Sequence, residues 1–253
     1  LFIHGLAGYL PLWKHQIDGL KSHYRCVAVD LPGNGLSSNG DFPYTMFFFA
    51  ETIARFIEKE QLKNVVLVGH SMGGHVSMVL SLRYPHLVQK LVLVAPSGIE
   101  AFGQSERMVI ENLMAIGQYF SSHANYIESS IKQSFYRKTD ETDTIISDIK
   151  KLSKAQTIIK WNKMINACIN SMLNEQIADF LPGITQPTLL IFGEKDEFIP
   201  NKLVHPMETV KHLAMEGCNK IKDSKLELIP FAGHFVHIEK FETVNTFIMQ
   251  FAN

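Results

Sequence analysis

The sequence predicts an α/β fold: a mostly parallel sheet flanked by helices, with an all-helical insertion. Three observations predict it. Short runs rich in β-branched and apolar residues, such as Val65–Val68 and Lys90–Ala95, alternate with stretches of helical apolar spacing. Glycine-dense loops follow the strands, at the sheet edge where ligands bind in open α/β folds. Between residues 99 and 181 no strand pattern appears, whereas Met, Ile, Leu and aromatic residues recur at helical spacing.

The elements follow in order. Leu1–His4 reads as a core strand running into Gly5-Leu6-Ala7-Gly8. Leu12 to about Ser22 is amphipathic, and Arg25–Asp30 is the next strand, ending in Leu31-Pro32-Gly33-Asn34-Gly35-Leu36-Ser37. A helix is expected over Tyr44–Glu60, where the Phe47-Phe48-Phe49 run serves core contacts. Val65–Val68 precedes a helix from Met72 to about Tyr84, and Lys90–Ala95 is a further buried strand. After the insertion, Pro187–Phe192 resumes the sheet. A helix around Asn201–Leu213, a strand at Leu226–Pro230 and a final helix to about Phe251 complete the chain. Each strand–helix–strand step reads as a right-handed crossover, which makes the sheet parallel.

The 253 residues suit a core of residues 1–98 and 182–253 carrying the 99–181 insertion. A formal charge of −1 gives no electrostatic reason to expect nucleic acid or an anionic membrane as partner. No apolar run approaches the ~18 residues of a membrane span. Cys26, Cys168 and Cys218 are odd in number and widely spaced, which indicates neither a disulfide framework nor a zinc site and favours a cytoplasmic location. The chain opens at Leu1 inside a strand, so upstream strands are expected to be missing, and any signal peptide with them.

Chemistry concentrates at Gly69-His70-Ser71-Met72-Gly73, a G-x-S-x-G pattern between a strand and a helix. A sharp turn there leaves no room for Cβ atoms at the two glycines and lifts the serine hydroxyl above the sheet, at a helix N-terminus that stabilises negative charge. In this context the sequence resembles the α/β-hydrolase family. The resemblance extends to Asp30-Leu31-Pro32-Gly33-Asn34-Gly35-Leu36-Ser37, to Gly193-x-x-Asp196-x-x-x-Pro200 and to Gly233-His234 beyond the last strand.

The resemblance implies a triad of Ser71 as nucleophile, Asp196 as acid and His234 as base, in the chain order of that fold. It implies oxyanion donors at the backbone N–H groups of Leu6 and Met72, a helical cap formed by the insertion, and no metal or organic cofactor. Asp30 reads as a turn residue, Glu194 and Glu197 as solvated neighbours, and Glu100 as a remote alternative acid. His4, His70, His75 and His237 read as structural or pocket histidines. His234-x-x-His237 with Glu239 lacks a third well-spaced metal ligand. The expected activity is hydrolysis of a small-to-medium, largely apolar carboxylic ester through an acyl-enzyme. Two alternatives stay open: a carbon–carbon bond hydrolase of vinylogous keto acids, disfavoured by Phe235 where those enzymes often carry tryptophan, and a non-catalytic ligand receptor on the same scaffold.

Overall fold

The computed structural model describes residues 1–120, 123–155 and 158–253, with side-chain environments described outside 114–127 and 156–158. The Ser121-Ser122 segment thus lies outside the described residues. The chain begins with β1 (Phe2–Ile3), a 3-10 turn at Leu10–Trp13, α1 (Lys14–Leu20) and β2 (Ala28–Val29). Then come α2 (Met46–Lys59), β3 (Val66–His70), α3 (Met72–Arg83) and β4 (Lys90–Val94). Four helices follow: α4 (Gln104–Phe120), α5 (His123–Ser134), α6 (Asp140–Ala155) and α7 (Ile158–Asn174). The chain closes with β5 (Thr188–Gly193), α8 (Val210–Lys220), β6 (Ser224–Ile229), α9 (Val236–Glu239) and α10 (Phe241–Ala252).

The six strands pair in the order β2-β1-β3-β4-β5-β6, every pair parallel. Register is set by the two-residue period of the side chains. Leu67, Leu91, Leu93, Leu190 and Phe192 enter one buried cluster with α2, α3 and α8. Val68, Val92, Val94, Leu189 and Ile191 enter the other, against Trp13, Leu20, Val244 and Ile248. A sheet covered on both faces needs central strands that are near-continuous apolar runs, as Leu91–Val94 and Leu189–Phe192 are, whereas the edge strand β6 carries Lys225 and Glu227.

Local chemistry sets the helix ends. Thr45 caps α2, its hydroxyl accepting from Phe48 N–H at 3.0 Å. The Phe run divides as its geometry requires: Phe49 is fully buried, Phe48 stacks on Phe42, and Phe47 is exposed beneath the Arg83 guanidinium. The helix expected at Asn201–Leu213 lies later, at Val210–Lys220. Pro206 lacks an N–H and restricts His205, so residues 201–208 form turns, and Thr209 caps the helix through His212 N–H. The single last helix expected is broken at Lys240 (φ −129°, ψ 41°) into α9 and α10.

The α4–α7 insertion is attached at several places, among them Tyr9 to Asp148, His15 to Glu141 and Lys163 to Asp41. Its two stems are joined by Gln176, which accepts from Phe102 N–H at 2.8 Å and donates to Phe102 O at 2.6 Å. The outgoing stem also supplies acceptors to α2, Ser171 Oγ taking Met46 N–H and a Glu175 carboxylate oxygen taking Phe47 N–H. Midway, Ser134 O accepts Phe235 N–H at 3.1 Å. Glu239 accepts from both Arg137 N–H and Gly233 N–H, at 2.9 and 2.7 Å. A Cβ on Gly233 would run into the backbone of Ser134–Tyr136. Among the described residues, no helix is long and apolar enough to cross a membrane.

Candidate active site

Ser71 is the single residue between β3 and α3, at φ 53° and ψ −119°. This is a region non-glycine residues seldom occupy, and it persists only when the surroundings hold it. They do: Ser71 N–H donates to Val94 O at 3.0 Å, and Ser71 O accepts from Gly74 N–H and Ser97 N–H. Cβ atoms at Gly69 and Gly73 would strike, respectively, the Gly73 carbonyl and the carbonyls of Ile3 and His4.

Asp196 and His234 come from the loops after β5 and β6, paired neighbours in the sheet. The His234 Nδ1–H donates to Asp196 Oδ2 at 2.8 Å, and both side chains are buried. Asp196 Oδ1 accepts from Phe198 N–H and Ile199 N–H, at 2.8 and 3.0 Å, which fixes the carboxylate plane. With Nδ1 donating, the neutral His234 ring keeps Nε2 as its proton acceptor. His234 and Ser71 line one cavity of about 670 Å³. Among the described residues, Ser71 Oγ has no hydrogen-bond partner, His234 included.

The Gly5 peptide is gripped from one side. Gly5 O accepts from Gly8 N–H at 3.0 Å and from His4 Nδ1–H at 2.8 Å. The His4 tautomer follows, because His4 Nε2 accepts Leu31 N–H. A trans peptide carries its N–H opposite its C=O, so the Leu6 N–H points away from that grip. Among the described residues, neither Leu6 N–H nor Met72 N–H has a protein acceptor. Asp30 is consumed elsewhere, its carboxylate accepting from Leu10 N–H and Leu36 N–H.

Besides His4, the buried histidines His70, His75 and His237 lie around this centre. His70 Nε2–H donates to His234 O at 3.0 Å, and its ring lies 4.8 Å from that of His234 and 4.4 Å from that of His237. Burial, reinforced by His237 and His234, holds His70 well below its ordinary value of 6.5. Burial likewise lowers His75 to about 4 and His237 to about 3. All three are therefore neutral in the fold, while the unfolded chain protonates them below about 6.5. Stability should be intact above that pH. It should fall as the pH drops toward the folded values, by up to ~1.4 kcal/mol per pH unit for each histidine. Neither His237 nitrogen has a partner among the described residues, so His237→Leu should flatten this acid limb. Urea midpoints of both proteins across the acid range would test this, an unchanged slope counting against it.

The rest of the cavity wall comes largely from the insertion and is mostly apolar, including Ile110, Ile131, Trp161, Ile165 and Met172, with Gln133, Asn162 and Asn166 as polar members. Glu100, the remote alternative acid, is bonded to His205 and the Asn201 amide. No signal in the sequence joins Glu100 to a histidine 105 positions away. Glu194 and Glu197 are exposed. Among the described residues, no three His, Cys, Asp or Glu side chains converge as a metal site.

Comparison with known proteins agrees with this architecture. The sequence model for the alpha/beta hydrolase fold matches residues 1–241. Protein ABHD8 of Bos taurus is 28% identical over 261 residues, an alignment covering 99% of this chain and 55% of that protein. The chain thus spans just over half the length of that relative. Among solved structures, a probable hydrolytic enzyme from Pseudomonas aeruginosa superposes with a TM-score of 0.82 at 22% identity, over 98% of this chain and 83% of the other. An esterase from Exiguobacterium antarcticum gives 0.80 at 20% identity, over 99% and 90%. The chain belongs to the α/β-hydrolase fold family.

Proposed function

We propose that this protein is a serine hydrolase that cleaves a carboxylic ester of small-to-medium, largely apolar character through an acyl-enzyme on Ser71. The observation that carries the reading is the Asp196–His234 hydrogen bond at the edge of the cavity into which the strained Ser71 turn opens. A serine hydroxyl is a weak nucleophile without a base, and His234 Nε2 is the nitrogen left free to take its proton. Asp196, held by two amides, keeps the proton on Nδ1 and stabilises the imidazolium that forms. The oxyanion is received by the Leu6 and Met72 N–H groups, each such donor being worth ~3 kcal/mol of transition-state stabilisation. Collapse of the tetrahedral species breaks the ester C–O bond, the His234 imidazolium giving its proton to the departing alcohol. Water activated by His234 then attacks the acyl-enzyme and releases the acid with Ser71 restored.

The helical insertion acts as a cap, because its side chains form most of the apolar cavity wall and exclude water from the ester. The esterase from Exiguobacterium antarcticum, similar in fold, is consistent with ester chemistry.

The test is labelling with a fluorophosphonate, read by intact mass on wild type and on Ser71→Ala. One adduct on wild type and none on the variant is expected. A folded wild type that takes no adduct would overturn the reading, and a ligand receptor would then be the better account.

A further inference from the structure

One ionisable side chain of the cavity has no part in the proposed chemistry. Apart from His70 and His234, Glu100 is the sole titratable group among the described residues of the cavity wall. It lies just after β4, where the insertion begins, and is only 8% exposed. Its two carboxylate oxygens share the Asn201 N–H at 2.9 and 3.0 Å, and Oε1 also faces His205 Nδ1 at 2.6 Å.

The surroundings do not balance its charge. His205 Nε2 faces Glu106 Oε1 at 3.1 Å, so one imidazole serves two carboxylates. It can donate to both only when protonated, and even then the group is one positive charge short. Burial lowers His205, but Glu100 and Glu106 outweigh it, and the net shift is upward. Glu208 adds a further negative charge; its carboxylate is occupied by His212 and the Thr209 amide. The nearby Lys202 ammonium bonds to the Glu208 carbonyl, on the exposed side. Phe102 stacks on His205 at 5.6 Å and also lines the cavity. Burial pushes the Glu100 carboxyl upward, the sign of a carboxylate whose charge is incompletely compensated. A buried carboxylate retains lone pairs after three contacts, and an unmatched one costs stability until a donor meets it.

We infer that Glu100 forms the polar end of the substrate cavity and selects esters bearing an ammonium group, the apolar remainder of the ligand lying against the insertion helices. The inference rests on the reading of this cavity as the substrate site. A cation is favoured over a neutral donor because it supplies the missing charge, whereas a hydroxyl supplies only the hydrogen bond. Glu100 does this without touching the reacting bond, so it sets which ester binds rather than how the ester is cleaved.

The test is direct binding, which needs no turnover. Hexylammonium, hexanol and hexanoate are titrated by calorimetry at neutral pH into wild type, Ser71→Ala and Glu100→Gln. In wild type and Ser71→Ala, hexylammonium should bind about tenfold more tightly than hexanol, with hexanoate weakest. Glu100→Gln keeps an acceptor for the Asn201 amide but removes the charge, and should bring the first two within about twofold. A merely structural clamp would weaken all three ligands alike and leave their ratios unmoved, which would overturn the inference. Equal binding of hexanol and hexylammonium by wild type would overturn the choice of a cation. Should Glu100→Gln fail to fold, the wild-type preference should still shrink as the pH is lowered and Glu100 protonates. A preference that stays flat into the acid range would be equally fatal. Loss of the fluorophosphonate adduct with the ammonium preference intact would remove the hydrolase reading and leave the subsite standing.

Discussion

Ser71→Ala should lower the kcat for an activated ester by about five orders of magnitude, and His234→Ala by a similar amount. The double variant should be no slower than either single variant. The proposed roles demand this, because each residue is useless without the other: the hydroxyl needs Nε2 to take its proton, and Nε2 has nothing else to deprotonate. Residual turnover, roughly a thousandfold above water, would come from the Leu6 and Met72 amides and from binding. KM should change little, since neither truncation touches the apolar wall supplied by the insertion. Single-turnover rates for the three variants would check this. Multiplying losses would show that Ser71 and His234 act independently, and full activity in Ser71→Ala would remove the acyl-enzyme altogether.

Gly73→Ala should be the most damaging conservative change outside the reacting groups. Its Cβ would press on the carbonyls of Ile3 and His4, which belong to backbone and not to a side chain that could swing aside. Relief requires β1 to move away from α3, at a cost of about 3 kcal/mol or more. For a chain of this size that corresponds to a melting point about 10 °C lower. Because β1 leads directly into Gly5 and Leu6, the fraction that still folds should also lose kcat, the Leu6 N–H being displaced from its aim. Gly40→Ala is the contrast. A Cβ there meets only the Phe42 ring at 3.2 Å, at the surface, and should cost within about 0.5 kcal/mol. Thermal melts of both variants would separate the cases, and equal shifts would refute the backbone-contact argument.

Where a position is dictated by local stereochemistry, the sequence was readable. Gly69, Gly73 and the apolar run before them announce a turn that tolerates no other shape, and Gly193, Pro200 and Gly233 mark the other two loops in the same way. The error at Asn201–Leu213 has the converse cause. Apolar spacing alone cannot weigh a proline at 206 against a cap at Thr209 when both lie inside one helical window. The division of the last helix at Lys240 is similar, for no residue there forbids helix. The environment of Ser71 was least legible. His70 holding the His234 carbonyl, Glu239 bridging the insertion to Gly233, and Glu100 meeting His205 are contacts between residues about a hundred or more positions apart. Periodicity carries no information about such partners, which exist only once the sheet has fixed the spacing of its loops.

The attachment of the insertion at Gly233 has a consequence for partial unfolding. Ser134 and Glu239 bind the backbone on either side of His234, so the helical layer and the imidazole form one cooperative unit. A fluctuation large enough to strip the helices from the sheet also releases the Phe235 amide beside His234 and takes Arg137 N–H away from the Glu239 carboxylate that holds the Gly233 amide. The loosened molecule should therefore lose the proposed reactivity at the moment its interior becomes accessible, and heat-stressed protein should turn silent before it turns promiscuous. The amides of Phe235 and Arg137, each bonded across this contact, should accordingly exchange with solvent deuterium at a common rate.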